Sequence, residues 1–258
     1  MKKGVLAALV CITLFTSCEK DEDSPTTVSL TVDIPDASFE QALMDLGLDD
    51  ELDGSLLKAN VKDVWRLDIF SQNITDLTGI EAFEELGALF CYDNQLVTLD
   101  VSSNINLEFL NCSSNNLNEL KLPLASQVFR ELDFSSNNLT TFEMNDFEDV
   151  TWVIGLENAL TSVDISGSKF NTIVAFDDNA ITEINLEGTE IEKLSMRRNN
   201  ISFLDISEKD MQWFYAEGNP NLTCVKVNEE QMDLINTNTN PTNWTIDATT
   251  SFTLDCSE

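Results

Sequence analysis

The 258-residue chain contains no histidine. That absence removes histidine-based catalytic triads, most catalytic zinc sites and histidine pH switches. Positive charge is scarce: 14 Lys+Arg stand against 46 Asp+Glu, a formal net charge of −32. Phosphate binding needs clustered Lys and Arg, so the balance argues against nucleic acid as a partner. It argues equally against a purely electrostatic hold on an anionic membrane. It favours solubility and a surface that repels itself. The apolar run "GVLAALVCITLF" near the N-terminus is too short to span a bilayer. Beyond that region cysteine is sparse. Cys91, Cys112, Cys224 and Cys256 form no C-x-x-C pair and match no zinc spacing.

What is present begins with a targeting pattern. "MKK" is a basic n-region, the apolar run an h-region, and "TSC" supplies small residues ending at Cys18. This resembles the lipoprotein signal of bacteria, which implies cleavage after residue 17 and a lipid on Cys18. Phe15 stands where leucine is commonest, with Leu14 one place earlier, and plain secretory cleavage is the alternative. Residues 18–30 follow as an acidic tether, including "EKDEDSPTT". Its Lys-acidic run resembles the surface-export signal of Bacteroidetes lipoproteins. The resemblance implies an outer-membrane lipoprotein, surface-exposed, touching membrane through Cys18 only. An exported chain can also keep disulfides.

Internal repetition dominates the rest. "LEFLNCSSNNL" from Leu107 fits the template L-x-x-L-x-C-x-x-N-x-L. Aligned on it, the cysteine slot reads Ile69, Cys91, Cys112, Phe134, Gly155, Phe176, Met196 and Ala216. Successive gaps are 22, 21, 22, 21, 21, 20 and 20 residues. Three residues beyond the slot stand Asn94, Asn115, Asn137, Asn158, Asn179, Asn199 and Asn219, with Gln72 in the first unit. A weaker L-x-x-L-x-L motif falls midway, as in "LVTLDVSSN" and "ISFLDISEK", and keeps asparagine at its ninth place only at Asn104. Each turn therefore holds two short extended segments.

Such a turn cannot bury its apolar residues alone, so it stacks on its neighbours and shares a continuous core. Leu, Ile, Val and Phe point inward at period two. The asparagine sits where the chain leaves the strand, and its amide can satisfy backbone groups the turn leaves unpaired. With strands about 4.8 Å apart, about eight turns give a rod on the order of 35 Å long.

The pattern resembles bacterial leucine-rich repeat proteins, specifically the 21-residue cysteine-ladder type known from internalin-like proteins and abundant in Bacteroidetes surface proteins. The resemblance implies a short, right-handed, β-rich solenoid with two parallel sheets over residues 64–227. It also implies an N-terminal cap at 31–63 and a C-terminal cap at 228–258. The slot departs from the family, since cysteine holds two of its eight places. Within the N-cap, Asp36–Leu48 reads as an amphipathic helix with Phe39, Ala42, Leu43 and Leu46 on one face and Gly47 ending it. Within the C-cap, Asn228–Leu234 reads as helical, Asn228 and Gln231 having capping-box spacing. Cys224 and Cys256 could close that cap as a disulfide; the alternative is two buried thiols.

Candidate chemistry is thin. "DDELDGSLLKAN", from Asp49 to Asn60, shadows a calcium loop, but Glu51 and Asn60 replace expected ligands and no helix is expected after it. An acidic turn is the simpler reading. Carboxylate pairs such as Asp177 and Asp178 arise readily among 46 acids, and solvated surface is their default reading. The sequons at Asn73, Asn138, Asn200 and Asn221 read as by-products of Asn/Ser/Thr-rich turns.

The outward residues of the asparagine-bearing strands are more informative. Turn by turn they read Phe90 and Tyr92, then Phe109, Glu131 and Asp133, Trp152 and Ile154, Ile173 and Ala175, Lys193 and Ser195, and finally Trp213 and Tyr215. The midway strands expose a polar set instead, from Thr98 and Asp100 to Glu183 and Asn185, with Phe203 and Asp205 last. Exposed aromatic rows anchor contacts with sugar rings or protein hot spots, unless they only stiffen the sheet. Arg197 and Arg198 could anchor an acidic group, or pair with Asp177 and Asp178. The expected function is non-enzymatic binding of a protein or glycan on the aromatic sheet, with no cofactor or metal. The alternatives are an accessory carbohydrate-active enzyme and a purely structural envelope protein.

Overall fold

The computed structural model describes residues 30–123, 126–145, 147–237 and 243–256. The expected signal segment, Cys18 and the tether up to residue 29 lie outside the described residues. The chain is a parallel β-solenoid of leucine-rich repeats.

It opens with two antiparallel strands, Thr31–Asp33 and Ser55–Leu57, bracketing helix α1, Ala37–Asp45. Helix α1 stops three residues short of the expected Leu48. Gly47 adopts φ 72°, and the Gly47 and Leu48 N–H groups bond back to Met44 and Leu43. This left-handed exit turns Leu46 outward, 48% exposed, while Phe39, Ala42 and Leu43 stay buried.

Asp36 caps α1 and ties it to the first repeat. One carboxylate oxygen accepts from the Ser38 and Phe39 N–H groups, the other from the Thr75 N–H and hydroxyl and the Asp76 N–H. Burial pushes the Asp36 carboxyl up, but these hydrogen bonds outweigh it and its pKa ends below the ordinary value. A depressed folded pKa contributes stability that is present above the unfolded pKa and is lost as pH falls through the folded one. Asp36→Asn should therefore be less stable than wild type at pH 7, with the gap narrowing below pH ~4. Urea titrations at several pH values check this. A gap unchanged down to pH 2 would contradict it.

The repeats stack nine parallel strands in chain order: Arg66–Asp68, Ala88–Phe90, Phe109–Asn111, Glu131–Asp133, Val150–Ile154, Phe170–Ala175, Lys193–Ser195, Trp213–Tyr215 and Trp244–Thr245. Leu67, Leu89, Leu110, Leu132, Val153, Val174, Leu194 and Phe214 are successive register partners, and all are buried. The residues flanking each face outward, as a strand's period of two requires.

The midway strands do not form the single second sheet expected. They pair in three pieces: Thr98–Asp100 with Glu119–Lys121; Thr141–Glu143, Ser162–Asp164 and Glu183–Asn185; and Phe203–Asp205, Cys224–Lys226 and Ser251–Thr253. Bending a stack lengthens its outer arc, so pairing kept on one side and parted on the other fits a curve toward the nine-stranded sheet. Shallow grooves of about 440 and 390 Å³ open at the two gaps, floored by Leu120 and Phe142 and by Ile184 and Leu204.

The asparagine ladder joins the turns. Asn115 donates to the carbonyls of Cys91 and Cys112 and accepts from the Leu96 N–H. Asn94, Asn137, Asn179, Asn199 and Asn219 likewise donate to their own slot carbonyl and to that of the turn before. Asn158 reaches the preceding slot and its own Leu156. Before each rung the chain turns left-handed, at Asp93, Ser114, Ser136, Glu157, Asp178, Arg198 and Gly218. That turn brings the asparagine side chain back toward the slot carbonyl.

A second, chemically mixed ladder runs along the midway turns. Asn104 donates to Ile80 and Phe83, Ser168 to Met144, Lys209 to Leu186 and Thr189, and Gln231 to Ile206 and Lys209. Different donors thus meet one demand, the buried carbonyls of the preceding turn.

Cys91 and Cys112 occupy neighbouring slots, both fully buried. Burial pushes the Cys91 thiol up to about 12 and the Cys112 thiol well above its ordinary value. Neither has the thiolate character a nucleophile or metal ligand needs. A thiol reagent at pH 8 should label neither in the folded protein and both in urea. Rapid native labelling of either would contradict the wall-residue role.

At the far end, the helix Glu229–Asn236 carries the capping box between Asn228 and Gln231 and runs two residues past the expected Leu234. The strands Trp244–Thr245 and Ser251–Thr253 then extend both rows, so the expected cap contains a further turn. A disulfide joins Cys224 to Cys256, with Cα atoms 6.0 Å apart.

Candidate interaction face

Strand register arranges the outward side of the nine-stranded sheet into columns. One reads Arg66, Ala88, Phe109, Glu131, Trp152, Ile173, Lys193, Trp213. The next reads Asp68, Phe90, Asn111, Asp133, Ile154, Ala175, Ser195, Tyr215. The sequence reading has Phe90 and Tyr92 as the outward pair of this turn; the register gives Ala88 and Phe90, so Ala88 shares the column of Phe109. Tyr92 lies beyond the strand end. The misreading came from counting outward residues around Cys91, whereas in other turns both precede the slot.

The aromatic row resolves into three groups. In the first, Phe70 and Tyr92 stack at 4.7 Å, nearly parallel, and Trp65 meets Phe109 edge-on at 6.3 Å. Trp65 lies against Gly87, where a Cβ would stand 2.0 Å from its indole nitrogen. The Arg66 guanidinium sits 4.3 Å over Phe90 and bonds Asp68. The sequence reading missed Trp65 and Phe70. Applying the asparagine offset to the Gln72 unit would have found Phe70, since it occupies the place of Tyr92.

At the other end, Trp213 is 39% exposed, with the Lys193 ammonium 4.8 Å over its ring. Arg197 lies 4.1 Å over Tyr215 and bonds Glu217 at 3.0 Å. The central group is Trp152, Ile154 and Ile173, all half-buried. Trp152 pairs in register with Glu131, and Ile154 with Asp133.

The arginine pair is already engaged within the chain. Arg198 makes a two-pronged bridge to Asp178, which raises the arginine pKa and lowers that of the aspartate. Asp177 is buried and accepts from the Ser195 hydroxyl and the Arg197 N–H.

The acidic loop at 49–60 engages several oxygens locally, while Asp49 Oδ2 is buried without a hydrogen-bond partner among the described residues. Asp53 accepts from Ser55, Asp49 from the Asp50 N–H, and the buried Glu40 from the Asp53 and Gly54 N–H groups. A short helix, Lys58–Val61, begins within the last residues of this stretch, where the sequence suggested none. Among the described residues, no group of three or more Cys, Asp and Glu is placed to hold a metal ion.

Repeat length, paired strands and asparagine ladder define the class: a leucine-rich repeat solenoid with an aromatic-bearing sheet face. No protein-family model and no curated protein matches the chain. Among solved structures it is similar to the functional domain of InlJ from Listeria monocytogenes, which includes a cysteine ladder, at 19% identity and TM-score 0.40. That match covers 75% of this chain and 63% of the InlJ domain, so the chain spans less than two thirds of it. It is also similar to an internalin of Listeria monocytogenes, at 13% identity and TM-score 0.42, covering 90% of this chain and 100% of that one. A leucine-rich repeat protein of Leptospira interrogans matches at 16% identity and TM-score 0.30, covering 58% of this chain and 56% of its own.

Proposed function

We propose that the protein is a non-enzymatic binding scaffold, held at the bacterial cell surface by lipid on Cys18. In this reading it recognises a protein or glycan on the outward face of the nine-stranded sheet. The observation that carries the reading is the contrast between the two rows. One row sets Trp152, Ile154 and Ile173 together, and Trp213 and Tyr215 two strands beyond Ile173, on one continuous sheet. The other presents Thr98, Glu119, Thr141, Ser162 and Glu183 at the corresponding exposed positions, followed by a single aromatic, Phe203. Rigid aromatic rings give large contact area at low entropic cost.

Glycan and surface-protein arrays probed with the mature protein test this. Trp152→Ala and Trp213→Ala should each lower binding to the array hits. Hits that bind both variants as well as wild type would remove the proposed face, and turnover of an arrayed polysaccharide would favour the carbohydrate-active alternative.

A further inference from the structure

We propose that the central part of this face is a seat for a cationic side chain, and that the partner is a basic protein segment bearing Arg or Lys. This rests on the binding-scaffold reading and narrows its partner.

The first support is the distribution of partners among the rings. On this face Phe70, Phe90, Tyr92, Phe109, Trp213 and Tyr215 each have an aromatic or cationic neighbour supplied by the chain itself. Among the described residues, Trp152 has neither. The second is what stands beside it. Glu131 is its register partner, and among the described residues its carboxylate makes no hydrogen bond or ion pair. Asp133, the register partner of Ile154, engages one oxygen with the Ser135 N–H at 2.9 Å and leaves the other open. The nearby cations are committed elsewhere: Arg130 lies 3.6 Å from Glu108, and Lys193 covers Trp213.

An indole with two carboxylates on the strand beside it binds a guanidinium or ammonium by cation–π attraction and charge-assisted hydrogen bonds together. The same chain places its own cations over Phe90, Trp213 and Tyr215, so the face already uses this chemistry. The net charge of −32 would steer a basic partner toward it. Ile154 and Ile173 supply apolar contact for the partner's neighbouring residues.

The test uses the mature protein and a panel of extended dodecapeptides containing Arg or Lys, each with a Gln-substituted control, titrated at 0.15 M salt. Trp152→Ala and Glu131→Gln should each weaken binding of the basic peptides roughly tenfold, and Trp152→Phe should retain part of the affinity. Glu183→Gln, an equal loss of charge on the opposite row, should change it less than about twofold. Equal losses in Glu131→Gln and Glu183→Gln would overturn the proposal, showing only the diffuse field of an acidic chain. So would basic peptides that bind no better than their Gln controls. If neutral glycans or proteins nevertheless bind and are lost in Trp152→Ala, the scaffold reading survives this failure; if no ligand depends on Trp152 or Trp213, both fail.

Discussion

Replacing Asn115 with Ala should lower the unfolding free energy by about 3 kcal/mol, through buried backbone groups left without partners. The amide oxygen takes the Leu96 N–H at 3.0 Å, and the amide nitrogen serves the Cys91 and Cys112 carbonyls at 3.0 Å each. All three bonds are buried, and they join two turns. Alanine orphans them together. Asn158 supplies the internal control: its bonds to Phe134, Leu156 and Leu139 are only partly buried, so water can replace some of them. Asn158→Ala should cost roughly half as much. Urea unfolding with an unchanged m-value for both variants is the measurement. Equal costs, or a cost near zero at Asn115, would contradict the ladder's role.

Gly155→Val should be comparably severe, costing about 3 kcal/mol or preventing folding. A Cβ at Gly155 would stand 2.3 Å from the tip of the Phe134 ring. Phe134 and Phe176 occupy the slots on either side, with centroids 6.3 Å apart, so their rings fill the room that the glycine leaves. Phe142 stacks on Phe134 at 4.5 Å from the opposite row and holds it there. The damage should be smaller in a Phe134→Leu background, and a double-mutant cycle reads the difference. Additive effects would mean that the ring is not what excludes a side chain at Gly155.

These two positions show what a reader of the sequence could see. The asparagines were legible because one residue type recurs at one offset, and the residue's chemistry explains the recurrence. Gly155 was visible as an exception in the slot, but its cause was not, since the obstructing ring belongs to the preceding turn. The second ladder left no comparable signal: Asn104, Ser168, Lys209 and Gln231 share a task without sharing a chemistry. The Asp36 staple also escaped notice, because Thr75 and Asp76 lie about forty residues downstream of it. The parting of the midway row depends on how the stack bends, which no single turn encodes. On the candidate face, residue types were read correctly from period two. The grouping was not, because the outward residues of the second strand were taken on either side of Cys91, whereas Ala88 and Phe90 both precede it.

The central claim is that a ladder-held sheet presents its aromatic face to a partner while the opposite row does not. Footprinting by hydroxyl radicals, with and without a saturating array ligand, tests it most directly. The account predicts protection at Trp152 and Trp213, with Phe203 on the opposite row, 48% exposed, labelled equally in both states. Protection of Phe203 with Trp152 and Trp213 unchanged would contradict it.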